Sequence, residues 1–385
     1  MKAAKLDITG GLQKGVRKFI KHGLEEKTFD SILIPFRTPA KDSYAWLLVN
    51  KPELLDDANP LPPVISIQGG KVVTSLTRRG KGTMKTLVML RPCEARAVIE
   101  LYKLKQTELE NLILLTIDCP GSVSLKDYLQ APGEMEKTFE KIMENWGGEE
   151  VRPLCRVCDN FSMVYSDIHI GILGQENGKA LLVPGTDRGK EVLEKLDYSM
   201  DEDVEPWENA VNKLTEERKE KRKEEFEKTL DSIRGTENFL EAFTRCINCH
   251  NCSRVCPVCY CRQCYFDSKA IKMPPGNYLS RAQKRGAFRF PADTMFFHLG
   301  RMSHMAVSCV SCGLCEDACP MDISVGQYFS IVGRGVQKTF GYIPGRDPEE
   351  ELPLVTYRGD EFSEVEVPYL EIYRDEEQKI TGAMV

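Results

Sequence analysis

The sequence CINCHNCSRVCP at residues 246–257 is matched in its spacing by CVSCGLCEDACP at residues 309–320. Both runs place their cysteines as C-x2-C-x2-C-x3-C and end on a proline, which is the ligand pattern of proteins that hold two [4Fe-4S] clusters. In such proteins the fourth cysteine of each run binds the other cluster. We therefore predict two clusters, one on Cys246, Cys249, Cys252 and Cys319, and one on Cys309, Cys312, Cys315 and Cys256. Zinc sites or disulfides are the alternative, and the duplicated spacing disfavours them.

The composition limits the class of protein. The chain has 385 residues and a net charge of −6, so it is long enough for two or three domains and has no general basic character for nucleic-acid binding. The first residues, MKAAKLDITGG, lack the apolar core of a signal peptide, and no apolar stretch is long enough for a membrane span. Fifteen cysteines in such a chain indicate metal sites in a reducing cytoplasm. We expect a cytoplasmic protein without direct membrane insertion.

Residues 1–205 alternate short apolar runs with helix-like patterns. The runs that predict buried strands are ILIPF after Ser31, Thr86–Leu90, Ile113–Asp118 and Ile168–Leu173. Val16–Leu24 and Glu94–Leu104 have the periodicity of amphipathic helices. Strand–helix alternation of this kind predicts an α/β domain.

Three further regions follow along the chain. Residues 206–237 are mostly charged and predict a solvated helical linker, with a partner-binding helix as the alternative. Residues 238–342 contain both cysteine runs and predict an α-helical, ferredoxin-like domain with two clusters. Residues 343–385 are acidic and contain prolines, which predicts an extended tail.

Four cysteines precede the linker. Cys93 and Cys119 each follow a predicted strand, while Cys155 and Cys158 form a C-x2-C pair. Strand ends and loops of an open α/β sheet meet at one edge, where such sheets bind their cofactors. Four thiolates there would bind a [4Fe-4S] cluster or zinc, and buried structural cysteines are the alternative.

At this point the sequence resembles a family. RPCEARAVIEL, TIDCPGSVS, CRVCDNFSMVYSDIHIGILG and the early GGLQKGVRKFIKHGL resemble the beta subunits of hydrogenases that reduce the deazaflavin coenzyme F420. RCINCHNCSRVCPVCYCRQC, RMSHMAVSCVSCGLCEDACPMDI and GYIPG resemble the beta subunits of F420-type formate dehydrogenases of methanogens. Together these motifs span residues 10–345, which is most of the chain.

The resemblance implies a third [4Fe-4S] cluster on Cys93, Cys119, Cys155 and Cys158. It also implies an FAD in the N-terminal domain, close to that cluster. The residues that match the family's flavin-containing stretches are Gly10, Gly11, Asp167, Gly171 and Gly174. Glycines suit such a role because backbone N–H groups can approach a pyrophosphate closely, although ordinary turns use glycine as well.

Residues 45–83 depart from the family pattern, although this region is expected to contribute to the flavin pocket. Gly69 and Gly70, with Arg78 and Arg79, are candidate phosphate contacts, and a hairpin turn explains the glycine pair equally well. His169 is predicted to be a core or supporting histidine rather than a ligand.

Three more cysteines, Cys259, Cys261 and Cys264, follow the first run directly. They would bind an extra metal, as zinc or another cluster, with His250 or a partner residue as the fourth ligand. Thiols in a packed loop are the other interpretation, and the sequence does not decide between the two.

These features predict an oxidoreductase subunit. FAD would exchange a hydride with coenzyme F420 or a similar carrier, and the clusters would carry single electrons to or from a catalytic formate dehydrogenase or hydrogenase subunit. Residues 281–289, which are basic, and the acidic tail are candidate docking surfaces. The alternative function is a flavin-free, polyferredoxin-like connector to a heterodisulfide-reductase-type complex.

Overall fold

The structure is a computed structural model that describes residues 2–268, 271, 274–286 and 292–356. The described residues up to Glu350 belong to one compact unit, and those from Glu351 belong to a second. Most of the predicted acidic tail, and residues 287–289 of the basic stretch, lie outside the described residues. Within the described part of the chain, no helix is both long and apolar enough to cross a membrane.

A mixed β-sheet organises the N-terminal region. The described residues form eight strands, which are β1 (Lys2–Asp7), β2 (Ser31–Arg37), β3 (Tyr44–Val49), β4 (Thr86–Leu90), β5 (Leu112–Ile117), β6 (Ile168–Gly171), β7 (Lys179–Pro184) and β8 (Glu202–Asp203). Their order in the sheet is β3-β2-β4-β5-β6-β7-β1-β8. The predicted α/β character of this region is thereby confirmed.

The direction of the strands defines a functional edge. β2, β4, β5 and β6 are parallel, and β3 and β7 run against their neighbours. β1 is antiparallel to β7 and so points the same way as β6. The last residues of β1, β2, β4, β5 and β6 therefore lie along one side of the sheet, which we call the carboxyl edge.

Helices cover the sheet on both faces, which explains the continuous apolar runs of the central strands. Leu87 and Leu115 pack into the core beneath α1 (Leu12–Glu25), with Phe19 of that helix. Val88 and its neighbours on β5 pack on the other face against α3 (Pro92–Lys103). The strands that escaped prediction are β1, β3, β7 and β8, which lie toward the sides of the sheet. β1 and β7 contain lysines, β3 carries the exposed Leu47 and Leu48, and β8 has only two residues, both acidic.

The remaining helices connect the strands and then build the C-terminal region. Those before residue 200 are α2 (Gly69–Thr77), α4 (Leu125–Gln130), α5 (Pro132–Asn145), α6 (Pro153–Arg156) and α7 (Asp187–Lys195). Those after it are α8 (Glu205–Ile233), α9 (Thr236–Ala242), α10 (Asn251–Val255), α11 (Pro275–Arg285), α12 (Ala292–Met305), α13 (Leu314–Asp317) and α14 (Val325–Thr339).

Helix α8 is the charged segment, and one of its cations is buried. The guanidinium of Arg218 donates to three backbone carbonyls, those of Cys158 at 3.3 Å, Pro120 at 3.1 Å and Trp146 at 3.0 Å. Its carbon lies 4.4 Å from the centre of the Phe161 ring. Arg218 therefore fastens α8 to the loops that carry the N-terminal cysteines.

Ion pairs join the sheet to the C-terminal region. Arg152, just before α6, donates to Asp317 of α13 at 3.4 Å, and both side chains are buried. Asp159 pairs with Arg222 of α8 at 2.6 Å and with Arg334 of α14 at 2.5 Å. The three regions predicted within residues 1–342 thus pack together inside one compact unit.

We predict that Arg218→Met loosens α8, because three buried carbonyls lose their donor at once. Amide hydrogens in the middle of α8 should exchange roughly a hundredfold faster, which corresponds to about 3 kcal/mol of local opening free energy. Lys219→Met, on an exposed position of the same helix, is the matched control and should behave as the wild type. Equal protection of α8 in both variants would contradict this role of Arg218.

Candidate iron–sulfur and flavin sites

Two of the N-terminal cysteines lie at the carboxyl edge because adjacent parallel strands end there. Cys93 lies in the first turn of α3, which begins at Pro92 directly after β4. Glu94 accepts the backbone N–H of Arg91 at 2.9 Å and so caps that turn. Cys119 follows β5, and Arg91 Nη1 lies 3.0 Å from its Sγ. One buried guanidinium therefore spans the ends of β4 and β5.

The C-x2-C pair reaches the same place from the loop around α6. The Sγ of Cys155 lies 3.8 Å from Ser122 Oγ, in the segment after Cys119. Gly121 has φ 130°, which favours glycine, and a Cβ placed on it would lie 3.2 Å from the Cβ of Cys155, so the two segments approach closely. The Cys119 N–H donates to the backbone carbonyl of Phe161 at 2.7 Å. This hydrogen bond holds the segment just after Cys158 close to Cys119. We call Cys93, Cys119, Cys155 and Cys158 the N-terminal cysteine set.

Electrostatics agree with this convergence. Burial raises the pKa of the Cys93 thiol, and the further charges that raise it include those of Cys312, Cys119 and Cys155. Burial also opposes ionisation of Cys155, but the guanidinium of Arg152 and the hydrogen bond with Ser122 outweigh it and lower the pKa of Cys155. Arg152 Nη2 lies 3.7 Å from Cys155 Sγ. The set thus combines thiols with buried cations.

A cavity in the C-terminal region is lined by Cys256, Cys309, Cys312 and Cys315, which we call the inner cysteine set. This combination, with the fourth cysteine of the first run beside three cysteines of the second, is the one predicted from the spacing. Leu154, Arg301 and Phe329 complete much of the wall. Leu154 directly precedes Cys155 and lies 3.5 Å from a Cβ placed on Gly313, so the inner set adjoins the N-terminal set.

The other four cysteines, Cys246, Cys249, Cys252 and Cys319, form the outer cysteine set. Burial raises the pKa of Cys252 to about 11, and the neighbouring thiols that raise it further are those of the same set. Cys252 belongs to the same buried cluster as Phe243, and Cys246 and Cys319 pack against that cluster. The structure therefore brings together both predicted groups of four, while their role as cluster ligands stays a prediction.

A histidine that the sequence analysis missed borders the outer set. His298 Nε2 lies 3.4 Å from Cys246 Sγ, and the ring stacks on Phe243 with 4.0 Å between centroids. Burial, with the charges of Arg301 and His250, lowers the pKa of His298 to about 3. The imidazole is therefore neutral at physiological pH and places a neutral ring nitrogen beside sulfur.

The three extra cysteines lie beside the inner set, but the predicted fourth ligand is engaged elsewhere. Burial raises the pKa of Cys259 to about 11, and Cys256 and Cys264 are among the charges that act on it. His250 Nδ1 lies 2.9 Å from Asp267 and Nε2 lies 2.8 Å from Asn248, so both ring nitrogens have other partners in this structure, and a role for His250 as the fourth ligand stays a prediction. Among the described residues, no three His, Cys, Asp or Glu side chains form a group that could hold a single metal ion.

The predicted flavin contacts do not all lie together. Gly10 and Gly11 precede α1 at the carboxyl edge, and Gly11 has φ 98°, a conformation that favours glycine. Asp167 lies at the opposite end of β6, buried, where it accepts from Arg188 Nη2 at 2.7 Å and from Leu114 N at 2.7 Å. Asp167 is thus a structural ion-pair residue, remote from the edge that carries the cysteines.

Gly171 and Gly174 have a packing reason to be glycine. A Cβ on Gly171 would lie 2.9 Å from the Trp207 ring, and one on Gly174 would lie 2.7 Å from Ala210 Cβ. Both contacts are with the start of α8. These two positions therefore let α8 approach the sheet.

Two other expectations can be compared with the structure. Gly69 and Gly70 begin α2, so the hairpin-turn explanation is wrong, and the Gly69 N–H is taken by Glu94 at 2.9 Å. Arg78 caps the far end of that helix and is exposed. His169 is fully buried and pairs with Asp118 at 2.9 Å, which confirms it as a core residue.

Residues 45–83 supply much of a narrow cavity at the carboxyl edge. Trp46, Pro62 and Ile65 line it, and it opens onto Arg91 and Glu94 beside the N-terminal cysteine set. The Trp46 Nε1 donates to Ile67 at 3.0 Å, which fixes the ring in the wall. Residues from the region expected to contact a flavin therefore line a cavity that Arg91, a neighbour of Cys119, also lines.

We predict that Gly171→Ala disturbs α8 rather than a bound cofactor. Overpacking against Trp207 should cost about 2 kcal/mol and speed hydrogen exchange in the first turns of α8 roughly thirtyfold, with flavin content unchanged. Gly10→Ala is the control, because its Cβ would meet the flexible Lys14 side chain and should leave α8 protected. If Gly171→Ala lost flavin while α8 stayed protected from hydrogen exchange, Gly171 would be a cofactor contact and this prediction would be contradicted.

Comparisons with known proteins agree with the cysteine patterns. Residues 242–323 match the family described as 4Fe-4S dicluster domain, which supports the predicted iron–sulfur character of the C-terminal region. A chain of the F420-reducing [NiFe] hydrogenase complex from Methanosarcina barkeri aligns with a TM-score of 0.45 at 15% identity, covering 59% of this chain and 90% of that chain. That score is too low to carry a conclusion.

Sequence relatives extend the likeness over most of the chain. The F420-dependent formate dehydrogenase subunit beta of Methanocaldococcus jannaschii is 25% identical over 367 residues, covering 86% of this chain and 91% of the relative. The F420-dependent formate dehydrogenase 1 subunit beta of Methanococcus maripaludis is 28% identical over 390 residues, covering 88% and 93%. The predicted resemblance is confirmed, and the chain is a relative of the beta subunits of F420-dependent formate dehydrogenases, which are oxidoreductase subunits.

Proposed function

We propose that this chain is the electron-transfer subunit of an F420-dependent formate dehydrogenase type of complex, with a [4Fe-4S] cluster on each of its three cysteine sets. The observation that carries the proposal is the contiguity of the three sets. Leu154, which directly precedes Cys155, lines the cavity of the inner set and so links that set to the N-terminal set. Arg301 experiences charges from Cys256 and Cys252, which links the inner set to the outer set.

The residues at each set suit a cubane cluster. Four cysteine side chains line the cavity of the inner set, together with apolar side chains that include Leu154 and Phe329. The Nε of Arg152, between the N-terminal and inner sets, is buried and has no hydrogen-bond partner among the described residues. Buried N–H donors of this kind suit cluster sulfurs, which accept hydrogen bonds and whose potential depends on them.

The adjacency gives an order for electron transfer. Electrons would pass between the N-terminal, inner and outer clusters in that sequence, because each neighbouring pair of sets shares a buried arginine. Arg152 lies within reach of the charges of Cys155, Cys312 and Cys93, at the junction of the N-terminal and inner sets. Arg301 lies within reach of those of Cys256, Cys315 and Cys252, at the junction of the inner and outer sets. The N-terminal cluster, at one end of this series of clusters, would then exchange electrons with a hydride carrier. The outer cluster, at the other end, would exchange electrons with a partner subunit.

The hydride end is proposed at the carboxyl edge of the sheet. The relatives are named as F420-dependent enzymes, and a flavin there would convert two-electron hydride chemistry into single-electron transfer. Gly10 and Gly11 lie at the start of α1, and the narrow cavity at Trp46 and Arg91 lies next to the N-terminal set. These features support FAD binding at this edge.

The partner end is proposed at the outer set. The relatives are beta subunits of formate dehydrogenases, so the partner would be a catalytic formate dehydrogenase subunit, and electrons from formate would leave as reduced F420. A flavin-free connector to a heterodisulfide-reductase-type complex is the competing function. The relatives' names give that second function no support.

Iron and flavin content test the proposal directly. Anaerobic purification of the full chain should give about one FAD and roughly twelve irons, as expected for three [4Fe-4S] clusters. The same sample should reduce F420 in the presence of a low-potential electron donor. Roughly eight irons without flavin would favour the connector.

Single ligand substitutions test which cysteines hold iron. Cys158→Ser and Cys312→Ser should each weaken one cluster and lower the iron content by up to roughly four per chain. Cys312→Ser should also slow transfer to the partner while flavin stays bound. Cys261→Ser removes an exposed thiol outside the three sets and is the matched control. Unchanged iron in Cys158→Ser would remove the N-terminal cluster from the proposal.

A further inference from the structure

Arg301 of α12 is a buried cation at the junction of the inner and outer cysteine sets. Its side chain is only 3% exposed. The thiolate charges that act most strongly on it are those of Cys256, Cys315, Cys252 and Cys259. The first two belong to the inner set and the third to the outer set, so the guanidinium faces both.

Part of this guanidinium lacks a protein partner. Its Nε and Nη1 atoms have no hydrogen-bond partner among the described residues. Its carbon lies 4.2 Å from the centre of the Phe329 ring, and both side chains line the cavity of the inner set. A buried charged donor without an acceptor is unfavourable, so the site calls for an acceptor in that cavity.

Other arginines near the inner set are engaged by the protein. Arg152 pairs with Asp317, and Arg96 donates to the carbonyls of Pro344 and Val310 at 2.7 Å and 3.3 Å. Their charges are therefore partly satisfied by other groups. Arg301 differs because its Nε and Nη1 donors remain available to a group bound by the four cysteines of the inner set.

The chemistry of a cluster gives such a cation a consequence. A [4Fe-4S] cluster becomes more negative by one charge when it accepts an electron, and its potential responds to net charge, hydrogen bonds and solvent exposure. In a poorly screened interior, a fixed positive charge stabilises the reduced form more than the oxidised form. Removing the charge therefore makes the cluster harder to reduce.

We propose that Arg301 sets the reduction potential of the inner cluster by donating to its sulfurs and by placing an unscreened positive charge beside it. The inner cluster is thereby held at a higher potential than its ligands alone would give. This inference rests on the clusters of the proposed function, and it adds a residue that tunes them. Arg301 is a positioning and tuning residue, since it ligates no iron.

The test is a redox titration of the full chain followed by electron paramagnetic resonance. Arg301→Gln should make one-electron reduction of one cluster at least tenfold less favourable, a fall in midpoint potential of about 59 mV. The iron content should stay that of the wild type. Repeating the titration in a Cys158→Ser background, where the N-terminal cluster is weakened, assigns the shift to the C-terminal pair.

Two variants separate charge from other effects. Arg301→Lys keeps the positive charge on a different head group and should keep the potential close to the wild-type value. Arg254→Gln removes a positive charge between Cys252 and Cys256 in the sequence, but this side chain is exposed and water screens it. It should leave all midpoint potentials unchanged.

The outcomes that overturn the inference are distinct from those that overturn the proposed function. Full iron content in Arg301→Gln with unmoved potentials would rule out tuning by Arg301 and leave the clusters in place. If Arg301→Gln fails to retain iron, Arg301→Lys decides, since a tenfold or larger loss there would show that the charge is not the cause. Absence of iron from the wild-type chain would instead end the proposed function.

Discussion

The buried ion pair between Arg152 and Asp317 is the contact on which the arrangement of the cysteine sets depends. Arg152 belongs to the loop of the N-terminal set and Asp317 to α13 of the C-terminal region. Both side chains are 4% exposed, so losing either partner would leave an uncompensated buried charge at a cost of about 3–5 kcal/mol. Asp317 also accepts the backbone N–H of Leu125 at 3.0 Å, which ties the same junction to α4. The pair holds the inner set against the carboxyl edge.

A second feature follows from the same physics. Twelve thiols in three sets would carry a large negative charge in the interior if they ionised. Buried arginines lie beside them. Arg91 spans the ends of β4 and β5, Arg152 lies at the first junction and Arg301 at the second. A guanidinium suits these places because it stays charged when buried and presents several donors in a fixed plane. The arginines thus mark the line along which the proposed clusters lie.

Helix α8 shows how a charged segment takes a structural role. Most of its side chains are solvated, yet Arg218 and Trp207 are buried over the N-terminal cysteine loops, and Trp207 Nε1 donates to Asp118 at 2.8 Å. Gly171 and Gly174 leave room for this helix to approach the sheet. The flavin assignment at the carboxyl edge therefore depends on Gly10, Gly11 and the cavity by Trp46, and no longer on Asp167.

The sequence by itself determined the α/β character of the N-terminal region, the strand β4 to the residue, and the two groups of four cysteines in the C-terminal region, because cysteine spacing and short apolar runs are local patterns. It missed the strands at the sides of the sheet, which are β1 and β7 with lysines in them, the partly exposed β3, and the two-residue acidic β8. The tertiary structure alone decided that Trp207 packs on Gly171, and that Arg152 and Arg301 lie between cysteine sets. Such placements arise from packing between segments far apart in the chain, which no local pattern of residues encodes.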